Sequence, residues 1–410
     1  MDTEVMSNST VVLASFADAR EAFRNRDLRQ ALYDEGRRLM ADVIVNLHGA
    51  EHRARRRLEN RLFRRDTFLH YQREIIPAVI EEVLAAPLAA GRGDLLPMAR
   101  RTMMMLSAAI AGVDLPLGTD AEFDRLYELM QRLQRGSTLV HATGDKEAIK
   151  ADGDEALAQF DAEFLQRSLA RRLEVIGRWR AGTVGDDALP RDVLTTLLVN
   201  QDELDLPAEV IRQEVAYFPW VGSFSTSDAF VHAMHHVFEF VSDRPGERSR
   251  LQSDPVLLQR FVHESIRLHP ASPESRRVAM TDVTLQSGTA IPEGTTVVID
   301  LVAANRDPEV FGADANTFDP QRELPEDIAP WGLSFGTGFH ACLGQELAGG
   351  VVPDPGIGPG DQLSGAVVAM AQILLRHGAR PDPGDPPVPD PGSTRPHFGR
   401  YPIVFDSALV

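Results

Sequence analysis

The sequence contains a single cysteine, Cys342, inside the glycine-punctuated stretch Phe335-Gly-Thr-Gly-Phe-His-Ala-Cys-Leu-Gly344. A lone thiol cannot form an intrachain disulfide. No second cysteine is available for a cysteine zinc site or an iron–sulfur cluster. Cys342 is therefore a buried inert thiol, a catalytic nucleophile or the single thiolate ligand of a metal.

The neighbours of Cys342 favour the metal ligand. Gly336 and Gly338 remove side chains where the backbone must turn sharply or lie flat against a large ligand. The run 343–348 predicts a first helical turn, which places Cys342 at a helix N-terminus. There the helix dipole and the free N–H groups favour thiolate over thiol. A cysteine that is to be a strong axial donor to haem iron needs this environment.

The pattern Phe-x-x-Gly-x-His-x-Cys-x-Gly resembles the haem-ligand loop of the cytochrome P450 family. The resemblance implies haem b (iron protoporphyrin IX) as the cofactor and Cys342 as the ligand of its iron. It also implies one mainly α-helical domain with a small β region over residues 1–410. By the same resemblance the haem contacts in this loop are Phe335, Gly336, Gly338, His340 and Gly344.

Composition narrows the class of protein. The 410 residues are 43% hydrophobic and carry a formal net charge of −18, which argues against nucleic acid or an anionic membrane as a partner. No apolar run approaches the roughly 20 residues that span a bilayer, and the N-terminus lacks the pattern of a signal peptide. One cysteine without an export signal predicts a cytoplasmic protein.

A basic block stands out against this acidic background, and it is a candidate docking face for an acidic partner. A solvated helix surface is the equally weighted alternative. The block consists of Arg53, Arg55, Arg56, Arg57, Arg61, Arg64 and Arg65.

Periodicity divides the chain into helical and β-rich parts. We predict a helix-rich core over about 20–270 and 303–377, and β structure over about 9–15, 276–300 and 400–406. Residues 207–242 read as one long apolar helix with a weak point at 219–222. Residues 244–255 read as a loop.

Two basic residues lie four apart on a predicted helix, His52 and Arg56, and therefore share one face. In the resembled family such a pair reaches the haem propionates, and Arg277 matches the arginine that reaches a propionate from a strand. A charge-assisted hydrogen bond to a carboxylate is the physical reason. Exposed side chains on a helix are the alternative for His52 and Arg56.

The long helix carries the second informative motif. The family places Gly-x-Asp/Glu-Thr-Thr beside the iron, where the acid and the alcohol relay protons to dioxygen. The matching residues here are Gly222, Phe224, Ser225 and Thr226. Phe224 carries no proton, whereas Ser225 and Thr226 can hydrogen-bond to water or only back-bond to the preceding turn. We therefore predict water-mediated or substrate-assisted proton delivery, which suits an oxidation other than plain hydroxylation.

Glu264 and Arg267 lie three apart on the next predicted helix, and Arg322 follows in a meander-like stretch. In the family these positions form a structural ion-pair network beneath the haem.

The chain departs from the family pattern in two places. It begins almost at the first strand, so the usual cover of the substrate channel is expected to be missing or short. Residues 349–363 interrupt the helix after the cysteine loop, because proline and glycine are poor helix formers, and read as an insertion.

The leading interpretation is a haem-thiolate monooxygenase of secondary metabolism that uses O2 and a ferredoxin-type electron donor. The first alternative is a non-hydroxylating oxidation (coupling, rearrangement or peroxide-driven). The second is a catalytically silent relative that acts as a partner protein.

Overall fold

The computed structural model describes residues 9–60, 62, 65–354, 356–358 and 361–406. Helices predominate. They are α1 Phe16–Arg24, α2 Arg37–Met40, α3 Gly49–Glu59, α4 Arg65–His70, α5 Ile76–Ala90, α6 Leu95–Ala111, α7 Asp120–Ser137, α8 Lys146–Phe160, α9 Gln166–Arg180, α10 Val193–Val199, α11 Ala208–Asp243, α12 Glu247–Ser253, α13 Pro255–Leu268, α14 Leu301–Ala304, α15 Pro308–Phe311, α16 Gln345–Gly349 and α17 Ala366–Arg376.

The strands are short. They are β1 Thr10–Leu13, β2 Leu28–Gln30, β3 Arg92–Asp94, β4 Glu274–Ala279, β5 Val283–Thr284, β6 Ala290–Ile291, β7 Thr296–Asp300, β8 Arg380–Pro381, β9 Val388–Pro389, β10 Phe398–Arg400 and β11 Pro402–Val404. The largest sheet has the order β1-β7-β4-β2 and pairs the first strand of the chain with residues nearly three hundred positions later. The predicted fold class, mainly α with a small β region, is confirmed.

The central element is α11, a helix of 36 residues and about 54 Å. Its side chains are buried on almost every face, and it packs most extensively on α6 and also on α13 and α17. Pro219 lies inside this helix without ending it. Proline has no N–H to donate to the carbonyl four residues earlier, so the helix loses one internal hydrogen bond there.

Three predictions of local structure need correction. Residues 244–255 are not all loop, because α12 occupies Glu247–Ser253. The segment at 92–94, inside the predicted helical core, is a strand paired with β11. The predicted helix over 303–311 is two single turns, α14 and α15, separated by Asn305–Asp307.

The insertion after α16 is anchored to the helical body. Gln259 of α13 donates to the carbonyl oxygens of Gly349, Val351 and Leu363, which closes the two ends of the insertion. Gly350 has a φ of 73°, and a Cβ there would lie 2.3 Å from the oxygen of Leu363. Only glycine therefore fits at this turn. Residues 355, 359 and 360 of the insertion lie outside the described residues.

A buried ion-pair network links α13 to the segment that precedes the cysteine loop. Arg267 donates to both carboxylate oxygens of Glu264 at 2.7 and 2.6 Å. It also donates to the carbonyl oxygens of Asn305 and Ala315. Arg322 reaches Glu264 at 3.4 Å. The guanidinium of Arg267 has carbonyl and carboxylate acceptors on both of its terminal nitrogens and on Nε, so its burial is compensated.

We predict that Arg267→Met destabilises the protein by about 3–5 kcal/mol, because it leaves the Glu264 carboxylate buried beside fewer donors. The measurement is urea denaturation followed by circular dichroism. The matched control is Arg20→Met, which removes a surface pair with Asp327 and is expected to cost less than about 1 kcal/mol. Equal losses for the two variants would contradict a structural role of the network.

Histidines of α11 and its neighbours form a buried cluster. His232 stacks on His269 with ring centroids 4.3 Å apart, and its Nε2 lies 3.4 Å from Nδ1 of His397. Burial and then the charges of neighbouring histidines lower the pKa of His232 to about 2. Burial and then the charge of Arg306 lower the pKa of His269 to about 4. These rings are neutral in the folded protein at neutral pH.

Stability is therefore expected to fall as the pH drops through about 6.5, because the unfolded chain binds the proton first. The loss continues until the folded-state pKa is reached. His232→Phe should reduce the loss of unfolding free energy between about pH 7 and pH 5 by about 2 kcal/mol. The exposed His70→Phe is the control. An unchanged pH profile in His232→Phe would contradict the prediction.

Candidate active site

The cysteine loop is built by glycine turns and by contact with α1. The backbone N–H of Cys342 donates to the carbonyl of Phe335 at 2.9 Å, which closes the loop. Gly336 and Gly338 have φ values of 64° and 74°, a conformation that favours glycine. A Cβ on Gly338 would lie 3.1 Å from the carbonyl oxygen of Phe23, at the end of α1. The glycines thus serve both the turn and the close approach of α1.

Cys342 faces a cavity of about 330 Å³ with mostly apolar walls, and its sulfur is accessible from that cavity although it lies deep in the protein. It precedes the N-cap Gly344 of α16, and the backbone N–H groups of Gly344 and Gln345 donate to the sulfur. These hydrogen bonds favour thiolate, as expected from the sequence. Burial outweighs them and raises the pKa of Cys342 above its ordinary value.

Gly344 leaves open space beside the cysteine. It borders the cavity, and a Cβ built on it would meet no protein atom within 4 Å. Phe335 borders the same cavity and packs edge-on against Trp331 with ring centroids 5.7 Å apart. There is therefore space for a flat apolar group beside the sulfur, and an aromatic ring lines that space.

Several basic side chains border this cavity, and four of them are those that the resemblance assigns to the haem: His52, Arg56, Arg277 and His340. The rings of His52 and His340 have centroids 4.1 Å apart. Burial and neighbouring positive charges lower their pKa values to about 4 and about 3. Burial likewise lowers the pKa of Arg277 to about 10. These four bases make no ion pair with any carboxylate among the described residues, and Nε2 of His340 has no hydrogen-bond partner there.

Such a cluster fits an anionic ligand with two acidic groups. Arg56 donates to the carbonyl of Ala341 at 2.7 Å, and Arg277 donates to Gln30 and Ser275 at 2.5 and 2.9 Å, so neutral partners hold the arginines in place. Unpaired buried cations are costly, and a dianionic group would supply the missing charge. The two propionates of haem b satisfy this requirement, while the cysteine sulfur satisfies the iron. The residues present fit the cofactor.

The long helix presents its motif to the same cavity. Gly222, Phe224, Ser225 and Thr226 all border it. Ser225 donates to the carbonyl of Val221 at 2.8 Å, so its hydroxyl back-bonds to the preceding turn. Thr226 is the other alcohol of the motif, and it borders the cavity, where its hydroxyl can bind water or a ligand.

Phe224 occupies the position of the missing acid. Its ring stacks on Tyr127 with centroids 5.8 Å apart, and the guanidinium of Arg100 lies 5.4 Å from its centroid. Asp228 is buried on another face of the helix, 3.8 Å from Arg100 and 3.6 Å from His397, and does not border the cavity.

The basic block is not one surface. Arg55 is buried and pairs with Glu214 of α11 at 2.6 Å, and Arg56 belongs to the cavity cluster. Arg53, Arg57 and Arg65 are exposed. Arg61 and Arg64 lie outside the described residues. The prediction of one continuous basic face is therefore wrong for two of its members, because helical periodicity turns positions 55 and 56 inward.

Three residues with a part in this site were missed from the sequence. Asn305 accepts from the N–H of Leu333 at 2.7 Å and donates to Ser334 at 2.8 Å, which ties α13 to the segment before the cysteine loop. Tyr33 and Arg395 border the cavity. No motif marks them, since each lies in an irregular segment.

One segment of the sequence, which includes the cysteine loop, matches a known family. A family model described as "Cytochrome P450" matches residues 242–349. The chain is 27% identical over 270 residues to the "Probable cytochrome P450 313a5" of Drosophila melanogaster, which covers 65% of this chain and 50% of that protein. The curated relatives are thus matched over half of their length or less.

Solved structures share the fold over most of the chain. CalO2 superposes with a TM-score of 0.74 at 21% identity, covering 96% of this chain and 90% of that one. P450epoK bound to epothilone D superposes with a TM-score of 0.72 at 19% identity, covering 96% and 90%. One segment of the sequence is thus similar to cytochrome P450 proteins, and the fold is similar to theirs over most of the chain. None of the described helices is long and apolar enough to cross a membrane.

We predict that Cys342→Ser removes the thiolate signature from the carbon-monoxide difference spectrum of the reduced protein, because a serine hydroxyl is a far weaker donor to iron. Haem content and the spectrum are both measured. The control is Ser334→Ala, a change in the segment leading into the loop that leaves the sulfur intact. A Cys342→Ser protein with the same spectrum and turnover as the parent would refute the ligand assignment.

Proposed function

We propose that this protein is a monooxygenase that oxidises a small organic molecule in secondary metabolism, using O2 and electrons from a ferredoxin-type partner in the cytoplasm. The observation that carries the proposal is the lone cysteine sulfur in a cavity whose bases lack counter-anions. Haem ligated by a thiolate supplies the oxidising chemistry, and the protein supplies orientation, protons and exclusion of water.

The cavity walls support an apolar or partly polar substrate. Its lining includes Met103, Ile110, Trp220, Val221 and Leu301, which hold a ligand by removing apolar surface from water. A structural relative was solved with epothilone D bound, which supports a small organic molecule as the ligand of this fold.

The exposed arginines of the basic block favour an acidic protein as the electron donor. Arg53 and Arg57 lie one turn apart on α3, the helix that also carries His52 and Arg56 into the cavity. An acidic ferredoxin would be attracted to these arginines, because they form a local basic patch on a protein whose overall charge is −18.

The experiment that tests this function is turnover with a surrogate ferredoxin, its reductase and reduced nicotinamide, using isotopically labelled dioxygen and a library of secondary metabolites. We expect at least one product that carries one labelled oxygen atom. A haem-loaded protein that gives only unlabelled or dehydrogenated products would overturn monooxygenation and favour the second candidate.

The second candidate is a non-hydroxylating oxidation: coupling, rearrangement or a peroxide-driven reaction. Two observations favour it. Phe224 replaces the acid of the proton relay, and the hydroxyl of Ser225 is engaged with the backbone of the preceding turn. Of the two hydroxyl groups of this motif, that of Thr226 then remains for the cavity, so protons come through water or from the substrate.

We predict that Phe224→Asp with the native substrate increases uncoupled peroxide severalfold, because an added acid delivers protons that the native reaction takes from elsewhere. The measurement is the ratio of product formed to reductant consumed. Phe224→Asn is the matched control, since it introduces a similar polar side chain without the acid. Unchanged coupling and rate in Phe224→Asp would contradict substrate-assisted or water-mediated delivery.

A further inference from the structure

Arg395 is a half-buried cation that the resemblance does not assign to the haem. It lies in the loop between β9 and β10, and its side chain borders the cavity. Its Nε has no hydrogen-bond partner, and its guanidinium makes no ion pair with any residue that the structure describes. A guanidinium carries five donors and stays charged, so leaving it unpaired in an apolar wall is costly.

The backbone around Arg395 is held in place. Its N–H donates to the hydroxyl of Ser393 at 3.1 Å, and its carbonyl accepts from the N–H of His397 at 2.8 Å. Ser393 in turn forms a β-bridge with Ala142. His397 is fixed by a further contact of its Nε2 with the carbonyl of Ala271 at 3.1 Å. The side chain is therefore presented to the cavity from an anchored loop.

The acids near Arg395 are engaged elsewhere. The charge of Asp228 acts on Arg395. Among the described residues, however, the ion-pair partners of Asp228 are Arg100 and His397, and Arg395 is not one of them. Glu274 borders the cavity and is held by Nε of Arg276 at 2.6 Å. Burial and then the charge of Arg395 lower the pKa of His141 to about 3, as expected beside a cation without a counter-charge.

Tyr33 is the polar group that accompanies Arg395. It borders the same cavity. Burial raises the pKa of Tyr33 while the charge of Arg395 opposes that rise, which places the two side chains within electrostatic reach. Together they offer a guanidinium and a neutral hydroxyl donor to one acceptor.

Arg395 is not one of the residues that the resemblance assigns to the haem. It borders the same cavity as those residues, and the charges of both Arg277 and Arg395 act to lower the pKa of Tyr33, against the rise that burial causes. The two groups are therefore neighbours, and the haem content of an Arg395 variant distinguishes a substrate anion from a propionate as the partner of Arg395.

We propose that Arg395, assisted by Tyr33, binds the carboxylate of the substrate, so that the natural substrate is an organic acid with an apolar body. The planar fork of a guanidinium matches a carboxylate with two parallel hydrogen bonds, and the apolar walls hold the rest of the molecule. The proposal rests on the monooxygenase function proposed above, and it specifies the chemical class of substrate that this site accepts.

The test compares ligands of one chain length and different charge. Haem-loaded wild type, Arg395→Leu and Arg395→Lys are titrated with dodecanoate, dodecanol and dodecyltrimethylammonium, all below their micellar concentrations, and binding is followed by calorimetry and by the shift of the haem absorption. Arg180→Leu, which removes the same charge from the exposed end of α9, is the matched control.

We expect wild type and Arg180→Leu to bind dodecanoate about tenfold to a hundredfold more tightly than dodecanol, the range of one or two charge-assisted hydrogen bonds. Arg395→Leu should lose this preference and keep its affinity for dodecanol, and Arg395→Lys should keep part of the preference. Equal binding of acid and alcohol by the wild type would overturn the proposal.

Haem content separates this proposal from two other outcomes. If Arg395→Leu loses haem to the same extent as His52→Ala, then Arg395 pairs with a propionate and the substrate subsite is refuted. If the wild type binds no haem at all, the proposed monooxygenase function is refuted. Calorimetry of the haem-free protein with dodecanoate and dodecanol then still decides whether Arg395 discriminates acid from alcohol.

Discussion

Uncompensated positive charge inside an acidic protein is the constraint on which the site depends. The chain as a whole carries a net charge of −18, yet Arg56 and Arg277 meet His52 and His340 in one cavity without an ion pair to any carboxylate among the described residues. Burial lowers the pKa of both histidines far enough to keep them neutral at neutral pH, so the charge that lacks a partner is that of the two arginines. A dianionic cofactor whose iron is bound by the cysteine would supply the missing negative charge.

The scaffold meets this constraint through hydrogen bonds to neutral groups. Arg56 and Arg277 are positioned by carbonyl, amide and hydroxyl oxygens, which orient the guanidinium groups and leave their charge free for the ligand. The Glu264–Arg267 pair follows the opposite principle. Its charges are paired with each other and surrounded by carbonyl acceptors, so it supports the cysteine loop and takes no part in binding.

The long helix α11 borders the cavity with some of its residues and packs against other helices with the rest. Along one turn it carries Phe224 against Tyr127, Ser225 against its own backbone and Thr226 toward the cavity, while Asp228 faces the histidine cluster. An acid therefore exists within one turn of the family position and is directed away from the cavity. This arrangement, together with Arg395 across the cavity, supports a reaction in which the substrate contributes its own polar group.

The cysteine loop, the mainly α fold, the pairing of His52 with Arg56 and the spacing of Glu264 and Arg267 were all predictable from the sequence. Each depends on residues that are close in the chain, where glycine conformation and helical periodicity fix geometry locally. The strand at 92–94 and the helix at 247–253 were not predictable, because short elements depend on distant partners more than on their own propensity. Only the tertiary structure decided that Arg55 is a structural ion, that Tyr33 and Arg395 share the cavity and that the bases there lack counter-anions. These facts arise where segments far apart in the chain meet, and burial there sets the electrostatic cost that no local pattern encodes.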